Sequence, residues 1–316
     1  MTDIHRKKLN SVKEKTMKIA FLCAAAFSLL AVMTIVVFLL VQGVPGIAKA
    51  GFFRFIFGRT WSPSAGDGGE YGVLNFIVGT LYVTACGVLL GGSLGVLTAV
   101  FISRFCPKFL RGVFMQLVNL LAAIPSIVYG MFGLVVIVPF LRETFNDLFG
   151  FGILPASIVL GMMILPVIVG LSKNALDAVP KSYYEGAVAL GASHHEAVFK
   201  IVVPAAKSGI VSSIILGIGR AMGETMAVIM VIGNNGANLP TKLLQPIRTL
   251  TTNIVLEFGE AKGAMHTQML IATGVVLLIF VLIINLSLTF FNRDREKRKT
   301  PKRRKPGQSD GGEAAR

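Results

Sequence analysis

The sequence predicts an all-α membrane protein with six spans. Three observations carry that prediction. The chain is 53% hydrophobic and only 15% charged, where a soluble domain carries about 25% charged residues. Its mean hydropathy is +0.71. Six apolar runs are each long enough to cross a hydrocarbon core of about 30 Å. They fall at 19–41, 74–101, 113–140, 153–171, 209–233 and 269–291.

The first run follows a basic start containing Arg6, Lys7, Lys8, Lys13, Lys15 and Lys18. That start, with Ala48-Lys49-Ala50, has the outline of a signal peptide and its cleavage site. The apolar run exceeds the about 7–15 residues of a signal core, so it is expected to remain as span one. Residues 42–72 form an outer segment whose aromatics suggest an interfacial element, with Trp61 as a membrane-interface anchor. Span two carries Gly87, Gly91 and Gly95, overlapping small-residue spacings that let helices approach closely. Span three is bent by Pro125. Span four carries Pro155 and Pro166, which a bundled transmembrane helix tolerates.

Lys and Arg set the orientation. With the N-terminus inside, 23 of the 31 lie on the inner side and seven on the outer, leaving Arg220 in the membrane. An even number of spans then places both termini in the cytoplasm. The net charge of +15 is a topology signal, and no nucleic-acid partner is needed to explain it. The expected divisions are a basic cytoplasmic N-terminus at 1–18, a membrane domain at 19–292 and a basic, disordered tail at 293–316. The odd cysteine count and the absence of ligand spacing assign no disulfide and no metal site. His5, His194, His195 and His266 fall outside the predicted spans, and adjacent His194 and His195 make a poor metal pair. No catalytic residue is assigned.

Between spans four and five lies an inner loop, 172–208, too polar to span and too patterned for a linker. Pro180 suits the first turn of a helix, and Gly191 suits a left-handed helix end. A second helical stretch over 194–203 follows, interrupted by Pro204. Within the loop, Glu185-Gly186-Ala187, three residues, Gly191, nine residues and Ile201-Val202-Val203-Pro204 stand in sequence. This resembles the EAA loop of ABC-importer permeases, whose pattern is E-A-A, x3, G, x9, I-x-L-P. Gly186 stands for an alanine of that pattern and Val203 for a leucine. The resemblance implies a six-span permease bundle with a cytoplasmic coupling helix that docks on an ATP-hydrolysing subunit through Glu185, Gly186, Ala187, Gly191, Ile201 and Pro204. The small residues keep one helix face slim enough to enter a groove.

Span five holds Arg220 and Glu224. A charge at bilayer depth costs about 2.5–3.5 kcal/mol on insertion scales, so it marks a bundle interior or a polar pathway. On a continuous helix the four-residue spacing puts both on one face. The stretch Gly219-Arg220-Ala221-Met222-Gly223-Glu224-Thr225-Met226-Ala227-Val228 resembles the signature of phosphate-import permeases of the PstC type. So does Ala123-Ile124-Pro125-Ser126-Ile127-Val128-Tyr129-Gly130 in span three. Arg220 offers a planar fork of donors suited to a phosphate. Glu224 either holds Arg220 between transport events or accepts a proton from the anion, which ionised sulfate cannot offer. A static Arg–Glu packing pair is the alternative. Ser126 and Tyr129 either border the pathway or bond between helices.

No G-x-x-x-x-G-K-[ST] phosphate loop occurs, so ATP and its Mg²⁺ are expected on a partner and no cofactor on this chain. The resemblance implies a second, related permease, two copies of an ATPase and an extracytoplasmic phosphate-binding protein, in an inner or plasma membrane. A permease for sulfate or molybdate is the nearest alternative. A secondary transporter is a more distant one, with internal repeats and broken-helix pairs as its usual marks.

Overall fold

The computed structural model describes residues 2–64, 69–146, 149–237, 239–261 and 263–299, with side chains from 13 to 290. Helix α1 (Thr2–Ala50) leads into a short α2 (Phe52–Phe57). A two-stranded hairpin follows, with β1 (Trp61–Ser62) antiparallel to β2 (Glu70–Tyr71). Next come α3 (Leu74–Val100), α4 (Lys108–Ala123), α5 (Ser126–Phe132), α6 (Val138–Phe145) and α7 (Ile153–Asp177). The inner loop supplies α8 (Lys181–Ala189), α9 (His194–Glu196) and α10 (Val203–Ala205). The chain then continues through α11 (Lys207–Met222), α12 (Met226–Ile229), α13 (Leu250–Phe258) and α14 (Gly263–Lys299).

Five segments among the described residues are long and apolar enough to cross a membrane: Lys13–Ala50, Leu74–Phe105, Ser126–Phe145, Ile153–Asp177 and Gly263–Phe290. A sixth is broken, with His194–Ala205 meeting Lys207–Met222 at 65°. The fold is thus the expected all-α membrane bundle, with four revisions of detail. Span three is not one helix over 113–140. Ile124 and Pro125 are extended (ψ 126° and 142°), because Pro125 removes a backbone donor and disfavours α geometry in the residue before it. Span five is not continuous over 209–233, since α11 stops at Met222. Span one extends as helix back to Thr2, and α14 continues to Lys299. The expected basic start and the first residues of the expected tail are therefore helical, and 300–316 lie outside the described residues.

Helix α1 has 49 residues, about 73 Å at the α-helical rise, so it must extend beyond the bilayer. Its most apolar window is wholly unburied within the chain, and its last turns lean on α14. A Cβ at Gly43 would stand 2.7 Å from Val275 Cγ2, and one at Gly46 2.9 Å from Gln268 Cγ.

The centre is the crossing of α3 and α7. A Cβ at Gly91 would fall 2.3 Å from the Gly161 carbonyl oxygen, and one at Gly87 3.0 Å from Leu160 Cδ2. The helices touch backbone to backbone because these positions carry no side chain. Val83, Leu160, Ile164, Val228 and Val231 fill the surrounding core. A second cluster joins Ile102, Val169, Leu176, Val198 and Val202 at the inner-loop end. A third gathers Phe55, Tyr71, Phe76, Leu250 and Met269 at the opposite end. We expect Gly91→Leu to abolish recovery of folded protein, since helix backbones cannot yield as a flexible side chain can. Gly92→Ala should be tolerated, because its Cβ would meet Val88 Cγ1 at 3.6 Å and Ile168 Cδ1 at 4.0 Å, both ordinary contacts. Yield and melting temperature in detergent check both.

Trp61 packs inside the third cluster, edge-on to Tyr71 at 5.3 Å and to Phe76 at 5.7 Å. It is a half-buried packing residue, because the hairpin folds it back onto α3. His266, expected in a loop, sits in α14 and is 5% exposed. Its Nε2 lies 3.4 Å from Glu257 Oε2.

Candidate functional site: a coupling tip and a broken membrane helix

The inner loop forms a helix–turn–helix whose turn is fixed by backbone hydrogen bonds. Helix α8 begins after Pro180 and ends at Ala189. The Gly191 N–H donates to Val188 O at 2.9 Å, and Ala192 N–H to Ala187 O at 3.1 Å. Gly191 has φ +88°. These two bonds and the left-handed residue constitute a Schellman motif, which satisfies the last carbonyls of α8. Ser193 then starts α9 with a capping box: Ser193 Oγ accepts from Glu196 N–H at 3.3 Å, and Ser193 N–H donates to Glu196 Oε2 at 3.2 Å.

At the tip, Leu190 is 91% exposed. Glu185 and Gly186 are also exposed, Ala187 is half-buried, and a Cβ at Gly186 or Gly191 would meet nothing within 4 Å. A large apolar side chain held outward on a rigid turn is what a groove on a partner requires. Ile201 is exposed as well (39%), in a π-helical segment over Ala197–Val202, and Pro204 lies just before the bend into α11. The unit is tied to the end of span two. The Phe105 ring lies 4.9 Å from His194 and 5.2 Å from His195, and Tyr184 Oη lies 2.9 Å from His194 Nδ1. The two histidines thus anchor the loop to the bundle. Val198 and Val202 are fully buried beneath and pack against residues of α3 and α7.

The Arg220–Glu224 region differs from the sequence reading. Arg220 occupies the last turn of α11, where a cation is favoured by the helix dipole. Helix α11 closes at Gly223, and Glu224 lies in the break before α12. The two charges do not share a helix face. No ion pair joins them, and no hydrogen bond reaches the Arg220 guanidinium from the described residues. Glu224 is held elsewhere. Its Oε1 accepts the Ala227 N–H at 3.2 Å, capping α12, and its carbonyl accepts Thr251 Oγ1 at 3.2 Å. The break is therefore fixed from both sides, which irregular backbone at this depth requires.

Span three packs against the break. A Cβ at Gly130 would meet Met230 Sδ at 2.8 Å and Ala227 Cα at 3.0 Å. Tyr129 is 5% exposed, and its hydroxyl donates to Leu121 O at 2.8 Å, bridging the Pro125 interruption. Ser126 is half-buried at the start of α5. The structure thus sets Ser126 one turn from Tyr129 and turns Glu224 toward α12, while Arg220 closes α11 with no hydrogen bond or ion pair to any of the three among the described residues.

Two features were missed in the sequence. Thr251 fixes the break from a distance of 27 residues, and only its place in the first turn of α13, between the capping residues Thr249 and Thr252, marks it. Asn285 Oδ1 on α14 is buried without a hydrogen-bond partner, and a Cβ at Gly219 would lie 3.2 Å from Asn285 Nδ2. A lone asparagine in an apolar 28-residue span was its signal.

We expect Tyr129→Phe to lower stability by about 1 kcal/mol, the usual net value of one such bond. Ser126→Cys, with the native cysteines removed, should react with a small water-soluble thiol reagent in at least one transport state. Melting temperature checks the first. Mass-detected labelling checks the second, and no labelling in any state would assign Ser126 to packing.

Comparison with known proteins fits this architecture. Residues 87–297 match the family of binding-protein-dependent transport system inner membrane components, and the chain belongs to that family. It is 35% identical over 251 residues to the phosphate transport system permease protein PstC of Mesorhizobium japonicum, covering 73% of this chain and 76% of the relative. It is 33% identical to PstC of Pasteurella multocida, covering 78% and 81%. A probable ABC transporter permease of Bacillus subtilis, YqgH, is 36% identical, covering 86% and 88%. Among solved structures, a permease chain of a bacterial alginate ABC transporter superposes with a TM-score of 0.59 at 16% identity, covering 90% of this chain and 98% of that one. A chain of the inward-facing methionine transporter MetNI superposes with a TM-score of 0.53 at 21% identity, covering 70% and 95%. These two share the fold. Because spans three and five are broken, helix breaks do not separate this chain from a secondary transporter. The family match does.

Proposed function

We infer that this chain is the translocation subunit of an ATP-driven importer of inorganic phosphate. One observation carries the reading: Arg220 stands in a membrane segment with its guanidinium unpaired, in a chain whose relatives include phosphate permeases at 33–35% identity. A guanidinium stays charged where a lysine could be discharged by desolvation, and its fork matches two oxygens of a tetrahedral anion. Glu224, two residues beyond the end of α11, contributes a carboxylate oxygen not used by Ala227. A protonated phosphate could donate to it and a sulfate could not.

The pathway runs between this chain and a second, related permease, along the exposed face of α5 and α11. Two ATPase copies receive the coupling tips, Leu190 foremost, and supply ATP and Mg²⁺ chemistry that this chain does not perform. An extracytoplasmic binding protein delivers phosphate at the opposite face, and both termini lie in the cytoplasm. Closure of the ATPases moves α8, and the buried contacts under it carry that motion to the broken helices. The test is composition: the purified complex should contain one copy of this chain, one related permease and two ATPases by native mass spectrometry. Two copies of this chain in an active complex would overturn the heterodimer.

A further inference from the structure

We propose that the outer-segment cavity bounded by Lys49, Arg54 and Arg59 is a binding site for the phosphodiester headgroup of an anionic phospholipid. The cavity measures about 390 Å³ and is lined also by Thr60, Glu70 and Tyr71. Among the described residues, three cations and one carboxylate line it. Among the described residues Lys49 Nζ has a neutral partner, Gln268 Oε1 at 3.2 Å, and no ion pair. Neither Arg54 nor Arg59 forms an ion pair with a described residue, although Arg248 nearby is fully committed to Glu257 at 2.8 Å. Unpaired cations around a cavity attract an anion, and guanidinium forks favour a phosphate.

The surroundings select the source of that phosphate. Helix α2 points Phe55 into the protein, fully buried, and leaves Phe52, Phe53 and Phe57 exposed at 58%, 75% and 59%. Phe53 and Phe57 stack with centroids 6.3 Å apart, forming an apolar ledge beside the basic cavity. On α1 before Lys49, Val41 (63%) and Val44 (47%) are exposed, and the most apolar window of that span is unburied within the chain. A free anion has no use for either apolar surface. A lipid does: its acyl chains lie along α1 and the phenylalanine ledge, and its headgroup reaches the cations. This is the geometry of an interfacial helix with basic residues at headgroup depth. The site is on the opposite face from the coupling tip and does not involve Arg220.

The test is native mass spectrometry of the purified transport complex titrated with phosphatidylglycerol or phosphatidylcholine. Arg54→Gln with Arg59→Gln should weaken phosphatidylglycerol binding about fivefold per cation removed and leave phosphatidylcholine unchanged. Lys49→Gln alone should give the single-cation loss, which keeps the test valid if the double variant assembles poorly. Equal phosphatidylglycerol binding by wild type and both variants would overturn the proposal. Displacement of the lipid by equimolar inorganic phosphate would assign the cavity to the free anion and also overturn it. So would a wild-type complex that binds no phosphatidylglycerol, since a protein partner would then cover the ledge.

Discussion

Arg220→Gln is expected to abolish phosphate uptake in complexes that still assemble. The structure makes this sharper than the sequence did. Arg220 has no ion-pair partner among the described residues, so removing its charge leaves no orphaned carboxylate, the usual reason such a change unfolds a protein. What is lost is the anion contact. Hydrogen bonds to charged groups contribute about 1.5–3 kcal/mol each, so losing a two-pronged contact should reduce uptake by at least about 100-fold. Glu224→Gln should keep its amide oxygen on the Ala227 N–H and preserve the break, while losing the carboxylate. We expect impaired uptake with normal assembly. The double neutral variant separates this account from a packing pair. A pair that serves packing is damaged by either single change and repaired by both, and a transport pair is not repaired. Uptake normalised to assembled complex is the measurement, and restoration in the double variant would contradict a role in handling phosphate.

Gly191→Val is expected to uncouple ATP hydrolysis from transport while leaving insertion and assembly intact. A Cβ at Gly191 would touch nothing within 4 Å, so the cost is not a clash. It is the backbone: φ is +88°, and a left-handed conformation costs a side-chain-bearing residue about 1–2 kcal/mol, more for a β-branched one. The Schellman turn would relax and Leu190 would leave its outward position. Gly191→Asn, which accepts left-handed geometry, should retain most coupling. The readout is ATPase activity with and without phosphate-loaded binding protein. Normal stimulation in the valine variant would contradict the role of this turn.

These expectations show which features sequence could carry. The turn of the inner loop was legible because its determinants are local: Pro180, Gly191 and Pro204 lie within one short stretch, although the Ser193–Glu196 capping box beside them was not read from the sequence. The α3–α7 crossing was legible from Gly87, Gly91 and Gly95 because close approach requires small residues at fixed spacing. The break after Met222 was not. Gly223 and Thr225 are ordinary in transmembrane helices, so hydropathy runs unbroken through 209–233, and the i, i+4 relation of Arg220 and Glu224 presumed a helix that ends between them. Thr251, which holds the break, belongs to a different helix. Arg248 was counted only as a topology charge, yet it bonds Asn234 O, Asn253 and Glu257. Long-range polar networks of this kind have no period to betray them.

The most direct test of the central claim is transport by the reconstituted four-chain complex in proteoliposomes, with loaded binding protein and ATP supplied on their respective sides. The account predicts uptake of labelled phosphate that requires ATP, fails with Arg220→Gln, and is not matched when sulfate or molybdate replaces phosphate. ATP-dependent uptake of sulfate or molybdate at an equal rate, or phosphate uptake unaffected by Arg220→Gln, would contradict it.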